Sequence, residues 1–193
     1  MLQETYRDRL AVSATSPREW RDWLAANHDR EASIWLIIFK KDSARPSVTY
    51  PEAVDEGLCW GWIDSLPNKR DAESYYVLFS PRSPKSNWSR VNKEKVARLL
   101  REERMAAPGL EMVRLAQESG TWDALNDVEN LLVPDDLRIA LLAAPGAWEG
   151  WQAYPDSTKR GTLEQLFNAK RAGTRVKRIS RIVAAAVAGE RPL

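Results

Sequence analysis

The sequence contains very few of the residues that bind metals or form disulfides: one cysteine, Cys59, and one histidine, His28, in 193 residues. A single cysteine excludes an internal disulfide, and this pair is too small for a clustered Cys/His zinc site. The glycine-rich signatures of nucleotide binding and the G-x-S-x-G signature of hydrolases are also absent. We therefore predict no metal and no cofactor. A Cys59/His28 pair stays open as an enzymatic alternative, although free cysteine is commonly a small buried hydrophobe.

Long hydrophobic runs are missing as well. The two longest, IWLIIF and IVAAAVA, are far shorter than the roughly 20 apolar residues that a membrane-spanning helix requires. The first residues, MLQETYRDRLAV, carry acids and arginines where a secretory signal needs an unbroken apolar stretch. The expectation is a cytoplasmic protein with no membrane span.

The chain has almost no net charge, because 29 lysines and arginines stand against 27 aspartates and glutamates, which leaves +2. This balance argues against a protein that coats nucleic acid, although one locally basic face could still exist. A length of 193 residues is enough for one full core, or for one core and a small helical appendage.

Apolar periodicity and turn residues predict the order of the elements. The residues SPRE (16–19) form a capping-box pattern that starts a helix. The run SIWLIIFK (33–40) has no polar alternation and predicts a strand covered on both faces. YYVLFS (75–80) predicts a second strand, and YRDRLAVSA (6–14) predicts a weaker third. From Ser89 onward the pattern is helical almost to the end.

These elements predict an α+β fold, in which a small β-sheet with packed helices is followed by an all-helical C-terminal unit. The stretch DVENLLVPDD contains the predicted border, because Pro134 restarts a helix after an acidic stretch. The predicted domains are residues 1–130, which are α+β, and residues 131–193, which are helical.

A second capping-box pattern, TYPE (49–52), opens a helix that is predicted to run through about Trp62. Trp60 and Trp62 lie about 200° apart on such a helix, so they cannot share one face. Either both belong to the core, or one ring lines a groove. Asp64 follows near the helix C-terminus, where a carboxylate is unfavourable unless a cation or donor faces it.

The segment SPRSPKSNWSRVNKEK (80–95) combines stiffening prolines and basic side chains with serine and asparagine caps before a helix. Basic side chains beside free helical N–H groups favour an anion such as a phosphate or a carboxylate. We predict that this segment and the end of CWGWID (59–64) are two walls of a shallow site, in which Arg82 pairs bidentately with Asp64. The alternative is that both stretches are structural. The predicted ligand-binding residues are Trp60, Trp62, Asp64, Arg82, Asn87, Trp88, Ser89 and Asn92.

The end of the chain is locally basic, because residues 159–193 hold nine lysines and arginines and two glutamates. A helix over residues 175–187 would be amphipathic, and its basic face could contact the phosphates of nucleic acid or anionic lipid. A helix docked by its apolar arc with solvated charges outside is the simpler use. Nucleic acid is less favoured, since no stacking platform or known DNA-binding motif accompanies the helix. The predicted apolar arc is Val176, Ile179, Val183, Ala186 and Val187, and the predicted basic face is Lys170, Arg175, Lys177, Arg178 and Arg181.

Three ordered motifs resemble the YdeI/OmpD-associated family, also described as bacteriocin-protection-like proteins. They are SVTYPEAVDEGLCWGWID (47–64), FSPRSPKSNWSRVNKEKVARLL (79–100) and LEQLFNAKRAGTRVKRISRI (163–182). The resemblance covers nearly the whole chain and implies a YdeI-like α+β domain followed by an OmpD-associated-type helical domain. Ser65 departs from the pattern, because the family usually has glycine there, and this disfavours a left-handed turn after Asp64. The matching positions are Tyr50, Ala53, Val54, Asp55, Glu56, Cys59, Trp60, Gly61, Trp62, Ile63, Asp64, Pro81, Arg82, Ser86, Trp88, Ser89, Asn92, Ala169, Lys170, Thr174, Arg175, Arg178 and Ile179.

The resemblance implies stress protection, since the family is associated with tolerance of bacteriocins or cationic antimicrobial peptides and no reaction is established for it. We therefore predict a protein that acts by binding rather than catalysis, with a small anionic ligand or a protein partner. Two alternatives stay open. One is a nucleic-acid-binding accessory protein that uses the basic C-terminal helix. The other is a small-molecule enzyme whose catalytic residues are unknown, with a carboxylate pair such as Glu56 and Asp64 supplying acid–base chemistry.

Overall fold

A computed structural model describes residues 1–192, except for the side chain of Leu66, and confirms the α+β fold. The chain forms two compact units, Met1–Asp123 (unit 1) and Ala124–Leu193 (unit 2). Leu193, with which the predicted second domain ends, lies outside the described residues. The strands of unit 1 are β1 (Gln3–Tyr6), β2 (Arg9–Ser13), β3 (Ile34–Phe39), β4 (Trp62–Lys69) and β5 (Ser74–Pro81). Its helices are α1 (Pro17–Asn27), α2 (Tyr50–Cys59), α3 (Arg90–Arg101) and α4 (Ala107–Ser119). Unit 2 contains α5 (Asn126–Glu129), α6 (Asp135–Ala143), α7 (Ala147–Ala153), α8 (Asp156–Phe167) and α9 (Ala172–Ala188).

The described strands join one sheet in the order β1-β2-β3-β5-β4. Neighbouring strands are antiparallel except for β2 and β3, which are parallel. The strands predicted at 33–40 and 75–80 are confirmed as β3 and β5, and the weaker one at 6–14 as β2. β3 is buried along its whole length because it is the central strand and both of its faces are covered.

The largest difference from the sequence-based prediction lies where α2 ends. The helix stops at Cys59 rather than near Trp62, and Gly61 adopts φ of +72°, a left-handed conformation that glycine takes without strain. The chain then turns into β4, where Trp62 pairs with Pro81 of β5. The helical apolar period continues through Trp62 in the sequence, but alternate residues from Trp62 onward also fit a strand. Pairing with the free edge of β5 decides between the two.

The sheet is strongly curled, so that side chains of β1 contact side chains of β5 and of the residues after β4. β1 and β5 are separated by two strands, which would place them about 14 Å apart in a flat sheet. Tyr6 of β1 nevertheless stacks on Tyr76 of β5, with ring centroids 4.0 Å apart. Glu4 of β1 accepts hydrogen bonds from Arg70, just after β4, at 2.8 Å and from the Tyr76 hydroxyl at 2.6 Å. The concave face of the curled sheet therefore encloses a small core of its own, in which Trp35 is buried.

The helices of unit 1 cover the opposite face of the sheet. Trp20 of α1 and Leu58 of α2 lie in one core with the inward residues of β3 and β5. The indole N–H of Trp20 donates to the carbonyl of Ala53 at 3.1 Å, which fixes α1 against α2. Gly57 lets α2 approach the sheet closely, because a Cβ at that position would lie 3.0 Å from the ring of Phe79.

Unit 2 is an assembly of helices around a separate core, and α9 is its longest helix. Leu125 and Val128 belong to this core, although the sequence-based border at 130/131 assigned them to the first domain; that border stays a prediction. In the part of the chain that the structure describes, no helix has the length and apolarity needed to cross a membrane. The buried core residues of unit 2 are Leu125, Val128, Leu137, Leu141, Ala147, Trp151, Leu163, Leu166, Ile182 and Ala186.

Candidate functional site

Arg82 is a buried cation whose charge faces an aromatic ring. It directly follows β5, is 5% exposed, and places its guanidinium carbon 3.7 Å from the centroid of the Trp88 ring. Its Nη2 donates to the carbonyl of Asn87, while its Nε has no hydrogen-bond partner among the described residues. Burial lowers the pKa of Arg82 to about 10, and the attraction of Asp64 offsets only part of that effect. Arg82 therefore holds the 82–88 segment together from the inside.

Asp64 has a different partner from the one that the sequence predicted. It lies in β4 opposite Phe79 rather than at a helix C-terminus, and its carboxylate accepts a hydrogen bond from the Tyr50 hydroxyl. The bidentate Asp64–Arg82 pair does not occur among the ion pairs of the described residues. Burial, and next the Asp64 carboxylate, raise the pKa of Tyr50 to about 12. This contact ties the first turn of α2 to the sheet.

The three tryptophans of the predicted site have different surroundings. Trp62 is 1% exposed, and its indole N–H donates to the carbonyl of His28 at 3.2 Å. Trp88 is also buried and packs against Trp122, with ring centroids 5.0 Å apart. Trp60 is partly exposed and lies 4.8 Å from the ring of His28. Trp62 and Trp88 therefore act as core residues, and Trp60 alone of the three presents a ring to the surface.

The remaining predicted residues of this segment build the start of α3. The Ser89 hydroxyl accepts from the backbone N–H of Asn92 at 3.3 Å, which is an N-cap. Asn87 supplies the carbonyl that Arg82 binds. The structure thus brings Arg82, Asn87 and Trp88 together, with the capped helix start beside them. Their role in ligand binding stays a prediction.

Glu56 is the centre of a buried ion-pair cluster that the sequence did not reveal. Its side chain is 5% exposed and contacts Arg21 of α1 at 2.8 Å and Arg104, after α3, at 2.6 Å. Arg21 also donates to the carbonyl of Arg104 at 2.8 Å, which closes the cluster. Both oxygens of the Glu56 carboxylate are occupied by guanidinium groups, so the alternative that paired Glu56 with Asp64 for acid–base chemistry gains no support from the geometry.

Asp55, the neighbouring acid, also forms ion pairs with two cations, on the other side of α2. It contacts Lys95 at 2.7 Å and Arg98 at 2.5 Å, both on α3. Burial alone would raise the pKa of Asp55, but the hydrogen bonds from Lys95 and Arg98 outweigh it and hold the pKa below its usual value. The Asp-Glu pair of the first motif therefore joins α2 to three surrounding segments. Its signal in the sequence is two adjacent acids inside an otherwise apolar helix.

Cys59 and His28 do not form a nucleophile and base pair. Cys59 is fully buried, and burial raises the pKa of its thiol. The Nδ1–H of His28 donates to the carbonyl of Leu24 at 3.1 Å, and its ring packs on Trp60. Among the described residues, no group of three or more potential ligand side chains is placed to hold a metal ion.

Two adjoining cavities open beside the start of α2. One has a volume of about 620 Å³ and the other about 590 Å³, and both are lined by Lys40, Tyr50 and Tyr75. Neither is lined by Arg82 or Trp88. The sequence shows these residues in three separate segments, and the strand register that joins them cannot be read from it. The further lining residues are Pro67, Asn68, Lys69, Asp71 and Ser74 in the first cavity, and Ile38, Phe39, Lys41, Ser43, Arg45, Ser47, Thr49 and Pro51 in the second.

The basic face of α9 is partly engaged within unit 2. Arg175 forms a two-pronged contact with Asp136, at 2.5 and 2.9 Å, and Arg178 donates to the carbonyl of Gln165. The other three predicted members, Lys170, Lys177 and Arg181, are exposed.

The apolar arc of α9 differs from the predicted one. Ile182 and Ala186 are its buried centre, whereas Val176 and Val187 are 62% and 55% exposed. Ala186 belongs to the predicted arc, but Ile182 does not. The helix is rotated so that Ile182 faces the core, where a larger side chain buries more apolar surface.

A curled sheet with helices on one face, together with a separate helical unit, defines a two-unit α+β protein whose motif residues mostly form packing and ion-pair contacts. Residues 12–112 match a family model described as Domain of unknown function (DUF8412), and residues 130–189 match one described as Bacteriocin-protection, YdeI or OmpD-Associated. The chain belongs to the first family, whose model covers more than half of it, and through its C-terminal part to the YdeI/OmpD-associated family. The resemblance was expected over nearly the whole chain, but the second model matches only that C-terminal part. No curated protein and no solved structure matches the chain.

Proposed function

We propose that this protein protects cells against bacteriocins or cationic antimicrobial peptides, and that it does so by binding rather than by catalysis. The observation that carries the proposal is the match of residues 130–189 to the family described as Bacteriocin-protection, YdeI or OmpD-Associated. We place its action in the cytoplasm, with a small anionic ligand or a protein as partner.

Several features of unit 1 support binding over catalysis. The acids of the first motif, Asp55 and Glu56, are each occupied by two cations, so their carboxylate oxygens are not free to contact a substrate. The Cys59 thiol is buried and its pKa is raised, so thiolate chemistry is disfavoured. Open, mixed apolar and basic cavities at Tyr50 supply a place where a ligand could bind without reacting.

The test of the proposed function is the sensitivity of a deletion strain to a bacteriocin and to a cationic peptide. We expect the deletion to lower survival and the full chain to restore it when supplied in trans. Unchanged survival of the deletion strain under both challenges would remove the proposal. Turnover of substrates in a small-molecule panel by the purified chain, lost in Asp64→Asn without unfolding, would instead favour an enzyme.

The nucleic-acid alternative has its own discriminating measurement. Arg175 and Arg178 are engaged within unit 2, so the remaining exposed cations of the helix, Lys177 and Arg181, would have to carry phosphate binding. Retention of the chain on DNA or RNA that weakens with salt and is lost in Lys177→Ala/Arg181→Ala would favour this alternative. The matched control is Lys85→Ala/Arg101→Ala, which removes two exposed cations from unit 1.

A further inference from the structure

We propose that the two adjoining cavities beside the start of α2 form one binding site for a small aromatic anion, such as an aryl phosphate or an aryl carboxylate. The site is defined by Tyr50 and Tyr75, with Lys40, Lys41, Arg45 and Lys69 around it. It lies wholly in unit 1 and does not depend on the protective role proposed from unit 2. None of its cations belongs to the sites predicted from the sequence.

The strand register explains why these side chains converge. Tyr75 of β5 pairs with Ile38 of β3 on one side and with Lys69 of β4 on the other, so the three side chains share a face of the sheet. This is the helix-covered face, because Ile38 belongs to the core that contains α1 and α2. Lys40 is two residues beyond Ile38 and continues the same face by the alternation of an extended chain.

The first turn of α2 contributes the remaining wall of the site. α2 begins at Tyr50, which is 39% exposed and is held in place by its hydroxyl bond to Asp64. Tyr50 in the first turn of the helix and Tyr75 of the sheet line both cavities. Pro51 and Pro67 add rigid apolar walls to the second and first cavity. Two tyrosine rings and two prolines form a surface on which a planar ring can stack.

The charge of the lining favours an anion. Four cations line the two cavities, and Asp71 is the one lining acid among the described residues. The Asp71 carboxylate is already saturated, because it accepts from the N–H groups of Glu73 and Ser74 and from the side chains of Ser74 and Arg70. Of the four cations, Lys40 donates to the carbonyl of Ala72 at 2.6 Å and Arg45 lies over the ring of Phe39. Lys41 and Lys69 are exposed on long side chains that can reach a ligand anion.

Two acids near the cavities, Asp64 and Glu52, repel a bound anion only weakly, because both are engaged in hydrogen bonds. Asp64 is bound by the Tyr50 hydroxyl, and Glu52 caps the helix by accepting from the Thr49 N–H at 2.9 Å and from its hydroxyl at 2.7 Å. Both carboxylates already accept hydrogen bonds from other groups, so the exposed lysines of the cavity lining remain available to a ligand. Each cavity alone, at about 620 and 590 Å³, falls inside the range of about 300–1,000 Å³ that is typical of small-molecule sites.

The test is an NMR titration of the ¹⁵N-labelled full chain with 1-naphthyl phosphate. We expect saturable shifts of the backbone amides of residues 38–41, 49–50 and 68–75. Inorganic phosphate, which has the charge without the ring, and 1-naphthol, which has the ring without the charge, should each bind at least about tenfold more weakly. A parallel titration with 1-naphthoate distinguishes a phosphate ligand from a carboxylate ligand.

Variants distinguish this site from diffuse surface binding. Lys41→Gln/Lys69→Gln removes two exposed cations of the lining and should weaken the binding of 1-naphthyl phosphate by about tenfold, since nearby opposite charges attract at short range. Lys85→Gln/Arg101→Gln removes two exposed cations elsewhere in unit 1 and should leave the dissociation constant unchanged. Tyr75→Leu preserves apolar packing and should weaken the binding by about fivefold through loss of the ring.

Three results would overturn the proposal. The first is a titration with no saturable shifts, or with shifts that map outside the three segments. The second is binding of 1-naphthol or inorganic phosphate as tight as that of 1-naphthyl phosphate. The third is equal weakening by the Lys41/Lys69 pair and the control pair. A failure of this test leaves the bacteriocin survival assay untouched, so the two proposals can fall separately.

Discussion

Arg82 shows how one residue can be essential to a motif without contacting a ligand. A buried guanidinium is stable only when something replaces the water it loses, and here the replacement is a ring face and one carbonyl. The stacking covers the planar face, while the Nε edge remains without a partner among the described residues. The aliphatic stem adds apolar packing that does not depend on charge.

The balance between charge and stem can be measured with two substitutions. Arg82→Ala removes both and should lower the free energy of unfolding by roughly 2–3 kcal/mol, because it opens a cavity beside Trp88. Arg82→Met retains most of the stem and relieves the buried charge, so it should cost only about half as much. Urea denaturation of the three proteins, followed by tryptophan fluorescence, checks this order. Equal losses for both variants would mean that the charge, rather than the stem, stabilises the segment.

Short sequence patterns were sufficient to predict individual helix caps, but they were insufficient to predict which side chains meet at the candidate site. At TYPE the full capping box forms, because Glu52 bonds to the N–H of Thr49. At SPRE only half of it forms: the hydroxyl of Ser16 accepts from the N–H of Glu19, but the Glu19 carboxylate bonds to Thr15. Each cap depends on residues three positions apart, so a short window contains all the information. The contact between Tyr50 and Asp64 depends on where α2 ends and how β4 pairs, which no window around either residue contains.

At the scale of elements, the curled sheet depends on contacts between its first strand and its far side. Hydrogen bonds from Arg70, and next from Tyr76, lower the pKa of Glu4 to about 2. The folded state therefore binds the Glu4 proton less tightly than the unfolded state, whose value is 4.5. The resulting stabilisation is complete above pH 4.5 and is lost as the pH falls toward 2.

Glu4→Gln should show this linkage directly. We expect the variant to be about 1–2 kcal/mol less stable than the parent at pH 7, a value discounted for the solvent that reaches this partly exposed pair. The difference should shrink as the pH falls from 4.5 and vanish near pH 2. Urea denaturation at a series of pH values measures it, and Glu94→Gln on the exposed side of α3 is the matched control. A difference that stays constant from pH 7 to pH 2 would contradict the assignment.

Two helical glycines of unit 2 should respond to the same substitution with opposite signs. A Cβ at Gly150 of α7 would overlap the carbonyl oxygen of Ala186 on α9, whereas one at Gly161 of α8 would meet nothing within 4 Å. Gly150→Ala should therefore cost roughly 2–3 kcal/mol through overpacking. Gly161→Ala should gain up to about 1 kcal/mol from helix propensity.

Thermal unfolding followed by circular dichroism measures both glycine variants against the parent. A stabilised Gly150→Ala would mean that α7 and α9 are further apart than the structure places them. A destabilised Gly161→Ala would mean that the surface of α8 at that position is covered.

Helices and strands could be predicted from the sequence where their apolar residues followed one period, either helical or strand-like. IWLIIF is apolar at every position and could only be a central strand or a buried helix segment, and its length favoured the strand. CWGWID fitted a helical period up to Trp62 and a strand period after it, so the border depended on Gly61. In α9 the predicted arc included Val176 and Val187, whereas packing within unit 2 buries Ile182, and the period of a single helix does not contain that information.

At the scale of the whole molecule, the two cores are built from separate parts of the chain. The core of unit 2 runs from Leu125 to Ala186 and shares no residue with the cores of unit 1. A polypeptide of 70 residues is close to the lower size at which one hydrophobic core is sufficient. Unit 2 should therefore be able to fold alone, with a modest margin of stability.

A polypeptide of residues 124–193 tests this expectation. We predict a helical circular dichroism spectrum, a cooperative thermal transition and a stability of roughly 2–5 kcal/mol, because a core of this size rarely supplies more. Leu137→Ala, which truncates a fully buried core residue, should abolish the transition, and Leu142→Ala at an exposed position is the control. A non-cooperative, ANS-binding state in the parent polypeptide would show that unit 2 needs the rest of the chain.

The single thiol of the chain is fully buried, and the backbone of the same residue is tightly packed. The carbonyl of Cys59 accepts from the N–H of Ala106 at 3.0 Å, and Gly109 of α4 presses against that carbonyl so closely that no side chain fits between them. A thiol reagent can reach the sulfur only while this part of unit 1 is open, and unit 2 contains no cysteine that would add a background signal. The rate at which the native chain is labelled is therefore a clock for the opening of one unit alone. The effect of a bound ligand on the opening of unit 1 can therefore be timed in the intact protein without adding any probe to the sequence.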